Sequence, residues 1–172
     1  MAPRLSHGLT LPELLITLCL LAIIVSIAMP SLDRHVHSNR QETQRHSLLS
    51  HLKTARSEAI TGNHRVELCG SSNGQQCDHR WSEGWLMRNP ITQTVLRFSP
   101  QPGRDQLRWT GAGQANQTIV FQANGTMISS NGRFVLCSAE RRVAWQLVIN
   151  RQGRIRQSTG LESGQSDSDL CG

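Results

Sequence analysis

The hydrophobic pattern changes character three times along the chain. From Leu14 to Met29 the apolar run is broken only by Thr17, Cys19 and Ser26. Counted from Leu9 it holds roughly 20 residues, enough for a helix to cross a bilayer core of about 30 Å. Beyond Pro30, "RHVHSNRQETQRHS" is polar on every side, which fits a helix exposed to solvent or to neighbours, or one partly frayed. Leu48, Leu52, Ala55 and Ala59 then recur at helical spacing, predicting an amphipathic helix whose apolar stripe needs a sheet to cover. Gly62 is placed to stop it.

From residue 65 onward the period shortens to two. "RVELC" (65–69), "GWLMR" (84–88), "TVLRFS" (94–99) and "QLRWT" (106–110) read as strands, and "RVAWQLVIN" (142–150) alternates again. Asn124-Gly125 sits between two apolar runs, a strong hairpin signal because such a turn needs positive φ. Asn131-Gly132 predicts a second turn of the same kind. "NRQGRIRQS" (150–158) reads as a turn at Asn150–Gly153 followed by an extended Arg154-Ile155-Arg156. The pattern as a whole predicts an α+β fold, one long N-terminal helix packed on antiparallel β-sheet.

Charge and cysteines sharpen this picture. The 172 residues leave room for about one domain. Residues 34–156 carry 17 basic and 7 acidic side chains, so the head is more basic than the net +6 of the chain. Lys53 is the one lysine among 18 cations. Arginine forks suit phosphate and carboxylate, so the bias fits a polyanion partner or simply a soluble basic surface. Cys69, Cys77, Cys137 and Cys171 are an even set, which in an exported chain suggests two disulfides. Three connectivities are possible. Cys69–Cys77, closing a short loop, and Cys137–Cys171, tying the C-terminal tail to a strand, are favoured, with Cys19 left as a free thiol in the apolar run. Zinc is the competing use, but no C-x₂-C pair occurs and the seven histidines are scattered, so no metal or cofactor is expected.

The first residues carry a more specific signal. The apolar core lacks a small-residue cleavage site after it, and the glycine precedes it, so the segment is expected to be kept. Glu13 lies at the edge of this run, where a carboxylate is expensive in lipid. It either serves a function there or sits at the interface, favoured by the helix dipole. "GLTLPELL" resembles the type IV prepilin processing site, although Leu9 replaces the usual phenylalanine and Pro12 precedes the glutamate. The resemblance implies cleavage between Gly8 and Leu9 by prepilin peptidase and methylation of the new Leu9 amine. It implies that Glu13 pairs with the N-terminal amine of a neighbouring subunit during filament assembly. It also makes Pro30 the counterpart of the proline that bends pilin helices.

The head extends the likeness. "LKTARSEAITGNHRVELC", "WSEGWLM", "IVFQANGTM", "FVLC" and "GRIR" resemble the FimT/GspH group of minor type IV pilins and pseudopilins, to about Gln157. The domains expected are a leader (1–8), a transmembrane and assembly helix (9–33), a globular head (34–157, with its helix at 34–61) and a tail (158–172). In an extended segment Arg154 and Arg156 project to the same side, roughly 6.6 Å apart, close to the phosphate spacing along one DNA strand. Arg151 would add a third cation, and Gly153 would let the backbone turn sharply and approach a strand closely. The pair otherwise reads as a solvated hairpin. Gly153-Arg154-x-Arg156 matches the motif associated with DNA binding in FimT proteins, which implies capture of double-stranded DNA without base specificity in natural transformation. Arg141, Arg142 and Arg133 are candidates to widen the patch. The acidic segment from Glu162 to Asp169 would either compete with DNA for the patch or be held elsewhere by Cys171.

The alternative is a structural subunit, a minor pilin priming assembly or a GspH-type pseudopilin of type II secretion, without a nucleic-acid role. An enzyme is not expected. There is no G-x-S-x-G or P-loop, and His35, His37, His46 and His51 are placed along an exposed polar helix. The partners expected are double-stranded DNA, other pilins, prepilin peptidase and the inner membrane. The localisation expected is a single pass with a periplasmic head, later incorporated in a pilus or pseudopilus.

Overall fold

The structure is a computed structural model and describes residues 10–101, 105–111, 117–127 and 131–172; within the first helix the side chains at 27, 28, 30, 31 and 34 stand outside that set. The leader and the processing pair Gly8 and Leu9 lie outside the described residues. The described elements run α1 (Leu11–Thr61), β1 (Val66–Gly70), β2 (Gly84–Arg88), β3 (Val95–Pro100), β4 (Gln106–Gly111), β5 (Thr118–Phe121), β6 (Gly132–Cys137), β7 (Val143–Ile149), β8 (Ile155–Thr159) and α2 (Asp167–Cys171). The chain divides into two compact units, Met1–Arg40 and Gln41–Gly172.

In the first unit the Thr10 carbonyl accepts the first helical bond of α1 from Leu14 N at 3.1 Å, and Glu13 Oε2 reaches back to within 3.5 Å of Thr10 N, the carboxylate half of a Thr-x-x-Glu cap. Leu14, Leu15, Ile16, Leu18, Ile23 and Ile24 are all at least half exposed, so the segment is apolar all round rather than striped. The Thr17 and Ser26 hydroxyls donate back to the Leu14 and Ile23 carbonyls, both at 2.8 Å, and so satisfy themselves within the helix. The helix continues through Pro30 and the polar stretch beyond it. Among the described residues no helix is long and apolar enough to cross a membrane.

The second unit is built on the stripe seen in the sequence. Leu48, Leu52, Ala55 and Ala59 are fully buried and share one core with both sheets. The first sheet has strand order β3-β2-β1-β5 and the second β4-β6-β7-β8, every pairing antiparallel. Val66, Leu68, Trp85, Met87, Ile119 and Phe121 enter the core from the first sheet. Leu107, Phe134, Leu136, Trp145, Leu147 and Ile149 enter it from the second. The Trp145 indole N–H donates to the Gln41 carbonyl at 2.9 Å, fixing the start of the buried helical segment to β7.

Four expectations need correction. Gly62 is the last capping residue, but Asn63 takes the left-handed conformation (φ 49°). His64 N and Asn63 N bond back to the Ala59 and Ile60 carbonyls, a Schellman end. Asn124-Gly125 does turn, with Gly125 at φ 75°, and among the described residues its second arm pairs through one isolated bridge, Phe121 with Met127. The strands on either side join different sheets. Gly132 is no turn residue: it opens β6, and a Cβ there would lie 2.2 Å from the Trp109 ring. Finally, His51 is buried, with its ring edge-on to Trp85 at 5.5 Å and Nδ1 2.9 Å from the Ser47 carbonyl. Burial holds its imidazole below the ordinary histidine range.

Leu52→Ala removes a fully buried side chain between helix and sheets and is expected to cost about 2–5 kcal/mol. Chemical denaturation checks this, and an unchanged midpoint would show that the stripe does not carry the core.

Candidate nucleic-acid interface

The β7–β8 hairpin forms as the sequence predicts. Gly153 N bonds the Asn150 carbonyl at 2.9 Å and Asn150 N bonds the Arg154 carbonyl at 3.0 Å. The Asn150 Oδ1 accepts from Arg154 N at 2.8 Å. Gly153 sits at φ 73°, which disfavours any other residue. Its close approach is internal, however, which corrects the expectation that it brings the backbone near a nucleic-acid strand. Gly153 is buried, its carbonyl accepts from Arg56 Nη1 at 3.1 Å, and a Cβ would stand 2.7 Å from the Gly125 carbonyl oxygen. Arg151 is exposed in the turn, and its carbonyl accepts from Met127 N at 3.0 Å.

Past the turn, Ile155 packs on the core while Arg154 and Arg156 are exposed on either side of it. Strand register then builds a wider face. Arg156 lies opposite Val148, Val148 opposite Arg133, and Arg133 opposite Thr110, so one lateral row crosses all four strands. Arg108 stands two residues before Thr110, on the same side of β4. Arg108, Arg133, Val135, Val148, Asp169 and Leu170 line a cleft of about 500 Å³ on this outer face. The sequence alone did not single out Arg108. Its signal was the inward pair Leu107 and Trp109, which forces Arg108 outward, but the neighbouring strand was unknown. Arg141 and Arg142 do not join the group. They are exposed in the β6–β7 turn, with Arg141 at φ 56°. The whole of β7 separates them from the Arg151–Arg154 turn, about 20 Å of strand.

Both cysteine pairs form as favoured. Cys69–Cys77 closes with Cα atoms 5.6 Å apart and Cys137–Cys171 with 5.7 Å, and Cys19 is a free, exposed thiol. Among the described residues no group of histidine, cysteine and carboxylate side chains is placed to hold a metal ion.

The arginine pair is not symmetric. The Arg156 fork grips Glu162 through two parallel bonds, Nη1 to Oε1 and Nη2 to Oε2, the latter at 3.1 Å. The Arg154 guanidinium has no hydrogen bond or ion pair among the described residues, and its exposed fork is free for an anion. The hydrogen bond from Arg156 is the main cause that holds the Glu162 carboxyl down at about 2, with the Arg133 charge adding a weaker pull.

The family described as "Type II transport protein GspH" matches residues 44–153. The chain belongs to the GspH family. Its match ends at Gly153, so Arg154, Arg156 and the acidic segment lie beyond it. No curated protein matches this GspH-family chain. Among solved structures it is similar to the type IV minor pilin FimU of Pseudomonas aeruginosa in two crystal forms. One shares 21% identity at a TM-score of 0.56, covering 73% of this chain and 95% of that one. The other shares 21% identity at 0.53, covering 71% and 98%. The fold is therefore that of a type IV pilin, a helix on antiparallel sheets.

Two measurements check this geometry. A carboxyl held below its ordinary range contributes stability above that range and loses it as pH falls toward about 2. The Glu162 carboxyl resonance is therefore expected to titrate well below a normal glutamate and to return to normal in Arg156→Gln. A normal titration in the parent would show that the pair does not form. Gly153→Ala forces a side chain into left-handed backbone against a carbonyl and is expected to lose about 1–3 kcal/mol. Thermal unfolding reads this, and an undiminished melting temperature would refute the buried turn.

Proposed function

We propose that this GspH-family chain is a minor pilin of a type IV filament that binds double-stranded DNA through the outer face of its second sheet. The observation that carries the DNA reading is Arg154, whose guanidinium has no partner among the described residues, beside Arg156, Arg133 and Arg108 on one face. Forks at strand spacing reach backbone phosphates, and such contacts position a duplex without reading bases. Support for DNA uptake in natural transformation is the Gly153-Arg154-x-Arg156 pattern. Arg151 stands at the rim of this face, and Arg141 and Arg142 fall outside it.

The filament reading rests on family, fold and the first unit. An all-apolar exposed helix needs lipid before assembly and neighbouring helices afterwards. That demand fits an inner-membrane precursor with a periplasmic head, cut between Gly8 and Leu9 by prepilin peptidase. Glu13 caps its own helix in the single chain. In a filament the same carboxylate would meet the freed amine of a neighbour, removing two charges from a low-dielectric bundle.

A structural subunit without a DNA role, including a pseudopilin of type II secretion, is the second reading. It is favoured by the carboxylate already seated on Arg156 and by a family match that stops before the arginines. Fluorescence anisotropy separates the two, using the full chain in neutral detergent micelles and random-sequence duplexes at two salt concentrations. The DNA reading expects salt-sensitive binding that Arg154→Gln with Arg156→Gln weakens equally for all sequences, lowering the salt slope by about two. Binding unaffected by the double substitution would leave the structural reading standing.

A further inference from the structure

The segment after β8 folds back over the arginine face. Cys171 is bonded to Cys137 of β6, and Leu170 and Cys171 pack on Val135 and Val143. Asp167 Oδ1 accepts from Val143 N at 2.7 Å. The buried Gln146 amide of β7 donates to the Gln165 Oε1 at 2.7 Å and to the Gly160 carbonyl at 2.8 Å. Residues 165–171 are thus fixed to the sheet by a covalent bond, an apolar contact and several hydrogen bonds.

What that anchored piece delivers is negative charge and acceptor oxygen. Glu162 occupies Arg156, Asp169 lines the cleft together with Arg108 and Arg133, and the Gly172 carbonyl oxygen accepts from Arg108 Nη1 at 2.8 Å. Gln165 steadies the glutamate, its Oε1 accepting from Glu162 N at 3.0 Å and its N donating to the Glu162 carbonyl at 3.1 Å. The glutamate itself sits in a short loop between Gly160 (φ 67°) and Gly164 (φ 80°), neither of which has a neighbour where a Cβ would be. Gly160 is held to β7, its N–H donating to the Ala144 carbonyl at 3.0 Å and its carbonyl accepting from Gln146, so the freedom lies beyond it, at Gly164, which can change φ and ψ without a clash. The loop can therefore swing while the disulfide holds everything after it.

We propose that Glu162 is an internal competitor, a carboxylate latch seated on Arg156 that a phosphate backbone must displace before the face is fully engaged. This deepens the DNA-binding reading and rests on it. Arg154, whose guanidinium has no partner among the described residues, makes the first contact. The released Arg156 fork then takes a second phosphate, and the loop from Gly160 to Gly164 carries Glu162 away. Only hydrogen bonds are exchanged, those of Glu162 to Arg156 and Gln165, while the Cys137–Cys171 disulfide stays closed: Cys171 holds the end and Glu162 competes.

The test uses the full chain in neutral detergent micelles, random-sequence duplex DNA as probe, and four proteins: parent, Glu162→Gln, Arg154→Gln with Arg156→Gln, and all three changes together. An exposed pair is a modest competitor, so Glu162→Gln is expected to tighten binding by about two- to fivefold. The gain should vanish in the triple variant. In the parent, saturating DNA should move the Glu162 carboxyl resonance toward that of a free carboxylate. Affinity that depends on the arginines but is unchanged or weakened in Glu162→Gln overturns the latch alone and makes Glu162 a residue that orients Arg156. Affinity independent of the arginines overturns the DNA reading, and a stationary Glu162 resonance in that experiment overturns the latch with it.

Discussion

The structure of the head depends on one demand, that the apolar stripe of α1 be covered. Leu48, Leu52, Ala55 and Ala59 have no exposed surface, and burial of such side chains is the main favourable term in folding. Here two four-stranded sheets share the task, and their inward residues meet the same stripe. The strand alternation follows from this: once Leu147, Ile149 and Ile155 face the helix, Val148, Arg154 and Arg156 must face away.

That arrangement leaves the outer face of each sheet to be dealt with separately, and the chain uses a disulfide for both. On the first sheet the loop closed by Cys69–Cys77 packs beside Glu67, which is itself paired with Arg88 at 2.6 Å. On the second sheet the segment ending at Cys171 covers Val135 and Val143. Cross-linking shortens the loops that must be ordered and so restricts the unfolded chain. The cover is only partial on the second sheet. The row from Thr110 to Arg156 is basic, with Glu162 seated on Arg156 at one end and Asp169 in the cleft beside Arg133.

The first unit obeys a different rule. Between Leu14 and Val25 its large apolar side chains are exposed in every direction, so no apolar stripe marks an inner face there. Its polar atoms are satisfied locally, Thr17 and Ser26 by their own helix and Glu13 by the Thr10 amide.

Much of this was legible in the residues because it is local. Period 3.6 in Leu48–Ala59, period 2 in the strands, and the glycine before the apolar run each report on neighbours a few positions apart. The Cys69–Cys77 pair and the Asn150–Gly153 turn belong to the same class. What the sequence left open depended on register. Two sheets rather than one, Gly132 making room for Trp109, His51 turned onto Trp85, and Arg108 beside Arg133 all require knowing which strand lies next to which. The same holds for the grip of Glu162 on Arg156, because its position is set by a disulfide and by the amide of Gln146, contacts between residues far apart in the chain. Local chemistry determined that the chain is a helix on antiparallel strands with paired arginines at its last hairpin; only packing decided what those arginines face.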